Sequence, residues 1–139
     1  MELSIRNQLP GTVTDVTPGE VMATVKVRLA GGHQITSAIT LEAVQELGIT
    51  TGTAVRALVK STEVSLATGL VQGLSIRNRI PGTVTGVVTG GAMAAVSVGV
   101  EGGELTAAIT MDAVTGLRLT AGTAVTALIK ATEVSLAIA

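Results

Sequence analysis

The chain has 139 residues, a formal net charge of −1 and only 14% charged residues, so it lacks the basic surface that nucleic acid or an anionic membrane demands. It has no cysteine, which excludes disulfides and thiolate metal sites, and no Phe, Tyr or Trp, which removes stacking residues and the largest core side chains. The length fits one ordinary domain or two very small ones.

At the amino terminus, MELSIRNQLPG carries an acid at Glu2 and no long apolar run before Pro10, so it is not read as a signal peptide and a cytoplasmic location is expected. LSIRNQ and GTVTDV are short, rich in branched residues and bounded by turn residues, the pattern of strands. In VMATVKVRL, Val21, Ala23, Val25, Val27 and Leu29 alternate with Met22, Thr24, Lys26 and Arg28, the period of a half-buried strand. AGG then marks a turn, and HQITSAI another strand. TLEAVQELG predicts a helix with Thr40 as N-cap, Glu42 in the first turn, Leu41, Val44 and Leu47 at helical spacing and Gly48 as the stop. TAVRALVK and TEVSLA read as two more strands.

After TGLVQG the whole phrase starts again: SIRNQLPGTVT from Ser4 returns as SIRNRIPGTVT from Ser75, TSAITLEAV as TAAITMDAV, and GTAVRALVKSTEVSLA as GTAVTALIKATEVSLA. The second round is one residue shorter, and the deletion falls near the Gly31-Gly32 and Gly102-Gly103 turns, where loops tolerate it. The expected organisation is domain 1 at 1–68, a linker at 69–73 and domain 2 at 74–139. Each is a small all-β barrel of five or six strands with one short helix. The uncharged run between Arg79 and Glu101 is not read as a membrane span, because its counterpart in the first copy carries Asp15, Glu20, Lys26 and Arg28. Units this small bury little surface, and without aromatics, disulfides or metals they are expected to pair with each other and to oligomerise.

Familiar catalytic chemistry is missing. His33 is the only imidazole, and the second copy has Glu104 in its place; no His/Asp/Glu cluster has metal-ligand spacing, and the Gly-Gly turns are not phosphate loops leading into a helix. An enzyme is not expected. The groups that do recur are oxyanion donors: Ser4 and Ser75, Arg6 and Arg77, the helix-capping Thr40 and Thr110, and Lys60 and Lys130. Cations neutralise a dianion, hydroxyls donate directed bonds, and a helix N-terminus presents free N–H groups. The same residues are compatible with structural duty, with Arg6 paired to Glu63, Thr40 only capping and Lys60 solvated. Glu42 and Asp112, in the helix first turns, would repel an anion unless they point away.

Taken in order and twice over, SIRN…PGTV, AIT with its helix, and G…V.ALVKSTEV resemble the molbindins, proteins built of Mop domains, in their duplicated form and over essentially the whole chain. The resemblance implies two tandem OB-like barrels and no enzymatic activity. It implies a cytoplasmic protein without a cofactor that binds molybdate or tungstate at domain and subunit interfaces for storage and homeostasis, and a homo-oligomer, a trimer with six Mop domains. Carried over, the main oxyanion pocket falls on Ser4, Arg6, Thr40, Lys60 and Ser61, and on Ser75, Arg77, Thr110, Lys130 and Ala131. A second class of site, near a threefold axis, falls on Gly19, Glu20, Val21 and Met22, and on Gly90, Gly91, Ala92 and Met93. Ala43 and Ala113 stand where the family often has Ser, one donor fewer. A module that senses oxyanion for a transporter or transcription regulator is the alternative. Oligonucleotide binding is not expected, for want of aromatics and a basic groove.

Overall fold

A computed structural model describes residues 1–139. The first copy forms β1 (Asn7–Pro18), β2 (Met22–Leu29), β3 (Gln34–Thr40), α1 (Leu41–Leu47), β4 (Ala54–Val59) and β5 (Ser65–Ala67). The second repeats them as β6 (Asn78–Gly90), β7 (Met93–Val100), β8 (Gly103–Thr110), α2 (Met111–Leu117), β9 (Ala124–Ile129) and β10 (Ser135–Ile138). A single 3-10 turn, at Ser61–Glu63 and at Ala131–Glu133, follows β4 and β9.

The predicted all-β class, with one short helix per copy, is what forms. Alternation in β2 is complete, with every second residue from Ala23 to Leu29 buried. Thr40 Oγ1 accepts from Ala43 N at 3.1 Å, and Gly48 closes α1 in the left-handed region. The second helix does the same without glycine: Arg118 takes φ 54°, the one non-glycine residue of the chain at positive φ.

Three details differ from the sequence reading, the least being TEVSLA, whose Thr62 and Glu63 join the 3-10 turn and leave only Ser65–Ala67 as strand. LSIRNQ and GTVTDV are not two strands, because Leu3–Arg6 is irregular and β1 runs unbroken from Asn7 through Pro10. Asn7 lies opposite Val59, the last residue of β4, so nothing pairs with the residues before it. Pro10 fits a central strand because the ladder to β2 starts only at Gly11, and its missing N–H is not needed on that side. A bulge at Thr14, matched by one at Thr85, then bends the long strand so that it pairs with β4 at one end and the β2 tip at the other.

The third difference is the largest. The sheets are ordered β10-β4-β1-β2-β3 and β5-β9-β6-β7-β8, so each five-stranded sheet takes four strands from one copy and its edge strand from the other. β10 pairs with β4 from Ser135↔Leu58 to Ile138↔Val55, and β5 pairs with β9 from Ser65↔Leu128 to Ala67↔Thr126. The boundaries of the repeats in sequence are therefore not the boundaries of the sheets.

Exchange makes the interface between copies part of the core. One cluster joins Val13, Val25, Val27, Val55 and Val59 of the first copy to Ile80, Leu105, Ile129 and Val134 of the second. Each fully buried aliphatic side chain is worth about 1.5–3 kcal/mol. Two buried asparagines seal the seam: Asn7 Nδ2 donates to Thr106 O at 2.9 Å while Thr106 N donates to Asn7 Oδ1 at 2.8 Å, and Asn78 makes the same pair of bonds with Thr36. At the Gly31 and Gly102 turns the backbones touch, and a Cβ on Gly31 would overlap the Glu101 carbonyl.

Candidate functional site

Strand register brings the predicted cations together. Asn78 lies opposite Ile129, so Arg77 before one and Lys130 after the other leave the sheet side by side. The Asn7↔Val59 pairing does the same for Arg6 and Lys60. In the second copy Ser75, Ile76, Arg77, Lys130, Ala131 and Thr132 line one shallow concavity. Both arginines and both lysines are exposed there, and the 3-10 turn that follows each lysine presents the backbone of Ser61 or Ala131.

These cations differ from the other arginines nearby. Arg56 Nη1 donates to Gln8 Oε1 at 2.7 Å, and Arg79 donates to backbone carbonyls. Arg6, Arg77, Lys60 and Lys130 make no side-chain hydrogen bond within the chain, and no bond joins Arg6 to Glu63. Two neighbouring positive charges without an acceptor favour an anion between them. No carboxylate lines the concavity.

Thr110 does not line the concavity of its own copy. β3, which ends at Thr40, packs against the 3-10 turn of the second copy, and β8, which ends at Thr110, against that of the first. Each helix N-terminus is partly spent: Leu41 N donates to Val21 O and Met111 N to Ala92 O, while Ala43 N and Ala113 N bond their capping Thr. Glu42 and Asp112 are exposed in the first turns.

The residues assigned to a threefold-axis site form the β1–β2 and β6–β7 hairpin tips. Gly19 N donates to Met22 O, and Met22 and Met93 lie opposite Thr40 and Thr110. Tip and helix cap thus make one corner, which joins residues that the resemblance assigns to two separate sites. Glu20, Gly90, Gly91 and Ala92 are exposed, as is Val21 at 73%; Met22 and Met93 are each 45% exposed. His33 lies half-buried in the cleft between the Gly31 and Gly102 turns, away from both clusters. No group of three or more His, Cys, Asp or Glu is placed to hold a metal ion.

Sequence reasoning missed Asn7 and Asn78, which carry the seam beside each cation pair. Their signal was present, since an Asn inside an apolar strand pattern, repeated in both copies, calls for buried partners.

The TOBE domain model matches residues 3–66 and 74–136. The molybdenum-pterin-binding protein MopB of Rhodobacter capsulatus is 37% identical over 140 residues, covering 99% of this chain and 52% of that protein. The molybdenum transport protein ModE of Herbaspirillum seropedicae is 36% identical over the same extent. The chain thus spans about half the length of these curated relatives. Molybdenum-pterin-binding protein 2 of Clostridium pasteurianum is 47% identical over 66 residues, 48% of this chain and 97% of that one, a single copy of the unit. Among solved structures, the cytoplasmic molybdate-binding protein ModG with molybdate bound is 38% identical, with a TM-score of 0.97 over all of both chains. With both copies matched and the fold shared end to end, the chain belongs to the TOBE-domain family, as a duplicated Mop-type pair.

Proposed function

We propose that this protein binds molybdate, without catalysis, and stores or buffers it. The carrying observation is the pair of unpartnered cations, Arg77 with Lys130 and Arg6 with Lys60, that strand register sets side by side in each copy. Likeness to ModG, which binds molybdate, supports the choice of ligand. Molybdate near neutral pH is a fully deprotonated tetrahedral dianion, so a donor-only cluster suits it, whereas monohydrogen phosphate also needs an acceptor. Tungstate, of nearly the same size, is an equivalent ligand; sulfate has shorter bonds and reaches fewer donors.

Ser4, Arg6, Lys60 and Ser61, and Ser75, Arg77, Lys130 and the Ala131 backbone, form the chain's share of each main site. In this reading Thr40 and Thr110 complete the site of a neighbouring chain, and the anions lie between subunits of a trimer. The exposed apolar tips at Val21 and Met22 and at Ala92 and Met93, with Gly19, Glu20, Gly90 and Gly91, meet around the threefold axis. A sensing role is the second reading, favoured by the match to half of a molybdenum transport protein.

Isothermal calorimetry with molybdate, tungstate, sulfate and phosphate is the test. Arg6→Ala with Arg77→Ala removes one charge-assisted bond per site, about 1.5–3 kcal/mol or roughly ten- to a hundredfold in affinity. Unchanged affinity and stoichiometry in the double variant, or sulfate displacing molybdate at equal concentration, overturns the proposal.

A further inference from the structure

The two copies hold their Ser-Ile-Arg segments by different means. In the first, Gln8 Nε2 donates to Ile5 O at 3.1 Å, and Arg56 steadies the far end of the same Gln8 amide. In the second, position 8 corresponds to Arg79 and position 56 to Thr126. Arg79 Nε donates to Ile76 O at 3.1 Å, the bond Gln8 makes, and the guanidinium reaches further, Nη2 to Leu74 O at 2.5 Å and Nη1 to Val71 O at 3.5 Å. One half-buried side chain therefore gathers three carbonyls from the segment that carries the chain out of β5 and into β6.

A chemical need distinguishes this copy. Ser75 and Arg77 follow a connection that contains Gly69 and Gly73, both at positive φ. A glycine-bearing connection is free to move unless something ties it. Ser75 and Arg77 flank Ile76, so fixing the Ile76 carbonyl fixes the direction in which both side chains leave the backbone. The guanidinium is a rigid fork of five N–H groups, and here each of its three nitrogens donates to a backbone carbonyl, so the group is directed at the connection rather than at an anion.

We propose that Arg79 is the positioning residue of the second oxyanion site: its bonds to Val71, Leu74 and Ile76 hold the connection still so that Ser75 and Arg77 stand against Lys130 and Ala131 before the anion arrives. This rests on the oxyanion reading above. The two sites of one chain then have different supports, and only the second depends on the order of residues 69–74.

Calorimetry with molybdate in two backgrounds tests it. Arg6→Ala with Lys60→Ala leaves the second site to be read alone, and Arg77→Ala with Lys130→Ala leaves the first. Arg79→Ala is expected to weaken molybdate about tenfold at the second site, the order expected when pre-organisation of ligand groups is lost, and to leave the first unchanged. Arg79→Gln restores the side chain that the first copy uses. It is expected to regain the affinity through Ile76 O, while Val71 and Leu74 lose their partner and hydrogen exchange across residues 69–74 speeds up. That split between affinity and linker exchange is not produced by a general loss of stability. Equal weakening of both sites by Arg79→Ala, or no rescue of affinity by Arg79→Gln, overturns the positioning role. If the parent chain itself binds no molybdate, the function proposed above has failed and this role falls with it, an outcome recognisable because it appears before any substitution at position 79.

Discussion

At the scale of single residues, Asn7 and Asn78 show how a side chain serves as a strand. A carboxamide sets an N–H donor and a C=O acceptor side by side, as a strand's backbone does, and each Asn pairs with both backbone groups of a threonine in the other copy. Both side chains are almost wholly buried, at 3% and 2% exposure, so water is not there to replace a lost partner. Asn7→Ala strands the N–H and C=O of Thr106 and is expected to cost about 1–3 kcal/mol for each buried group left unsatisfied. Urea denaturation reads it, and a change within error of zero refutes the sealing role. The neighbouring Arg6 and Arg77, with no partner at all, have the opposite character: the chain's fold does not need them, which is why their removal is expected to spare stability and affect binding.

At the scale of elements, the exchanged edge strands decide how the halves depend on each other. β10 caps the β4 edge of the first copy's sheet, and Val134, just before it, is buried at 1% and accepts a 2.6 Å bond from Ser37 Oγ. Removing residues 135–139 therefore damages the first sheet, not the one built from the second copy's own strands. The expected loss is about 2–4 kcal/mol, from the ladder bonds and the buried apolar area of Leu136 and Ala137. Hydrogen exchange locates it: amides of Val55–Leu58 are expected to lose protection while Val125–Leu128 keep theirs. Protection lost first at β9 contradicts the exchanged topology. The conformational demands at the helix ends are milder, since Gly48 and Arg118 occupy the same left-handed position and both helices close.

At the scale of the whole molecule, a core of small aliphatic residues is shared between copies, and four cations are left at its surface in two facing pairs. On the proposed arrangement the anions lie between these pairs and a second chain, so that each anion offsets the repulsion within a pair. Binding and assembly are then linked. A ligand that binds only the native state adds RT ln(1 + [L]/Kd), about 2.7 kcal/mol per site at a hundred times Kd. Molybdate is expected to raise the melting temperature and favour the oligomer, and sodium chloride at matched ionic strength is not, since screening is not occupancy. Sedimentation velocity with thermal unfolding at low protein concentration checks this. A monomer that binds molybdate with undiminished affinity shows that each site is complete within one chain, and removes the interfacial sites.

Much of this was legible in the residues alone. Alternation in VMATVKVRL, the Thr40 cap and the Gly48 stop are local signals, because pleat and helix period act over neighbouring residues and need no partner to be named. Duplication was legible too, as were the Ser, Arg and Lys positions that recur. What only the tertiary structure decided is partnership. Nothing local in SLAI says that β10 belongs to the first copy's sheet, since both sheets offer the same edge to nearly the same sequence. Nor does spacing tell that Arg77 and Lys130, far apart in the chain, end beside each other while Thr110 stands apart. Which strand meets which is settled by the closure of the whole barrel pair, where long-range pairing and shared burial outweigh anything a short stretch of sequence prefers.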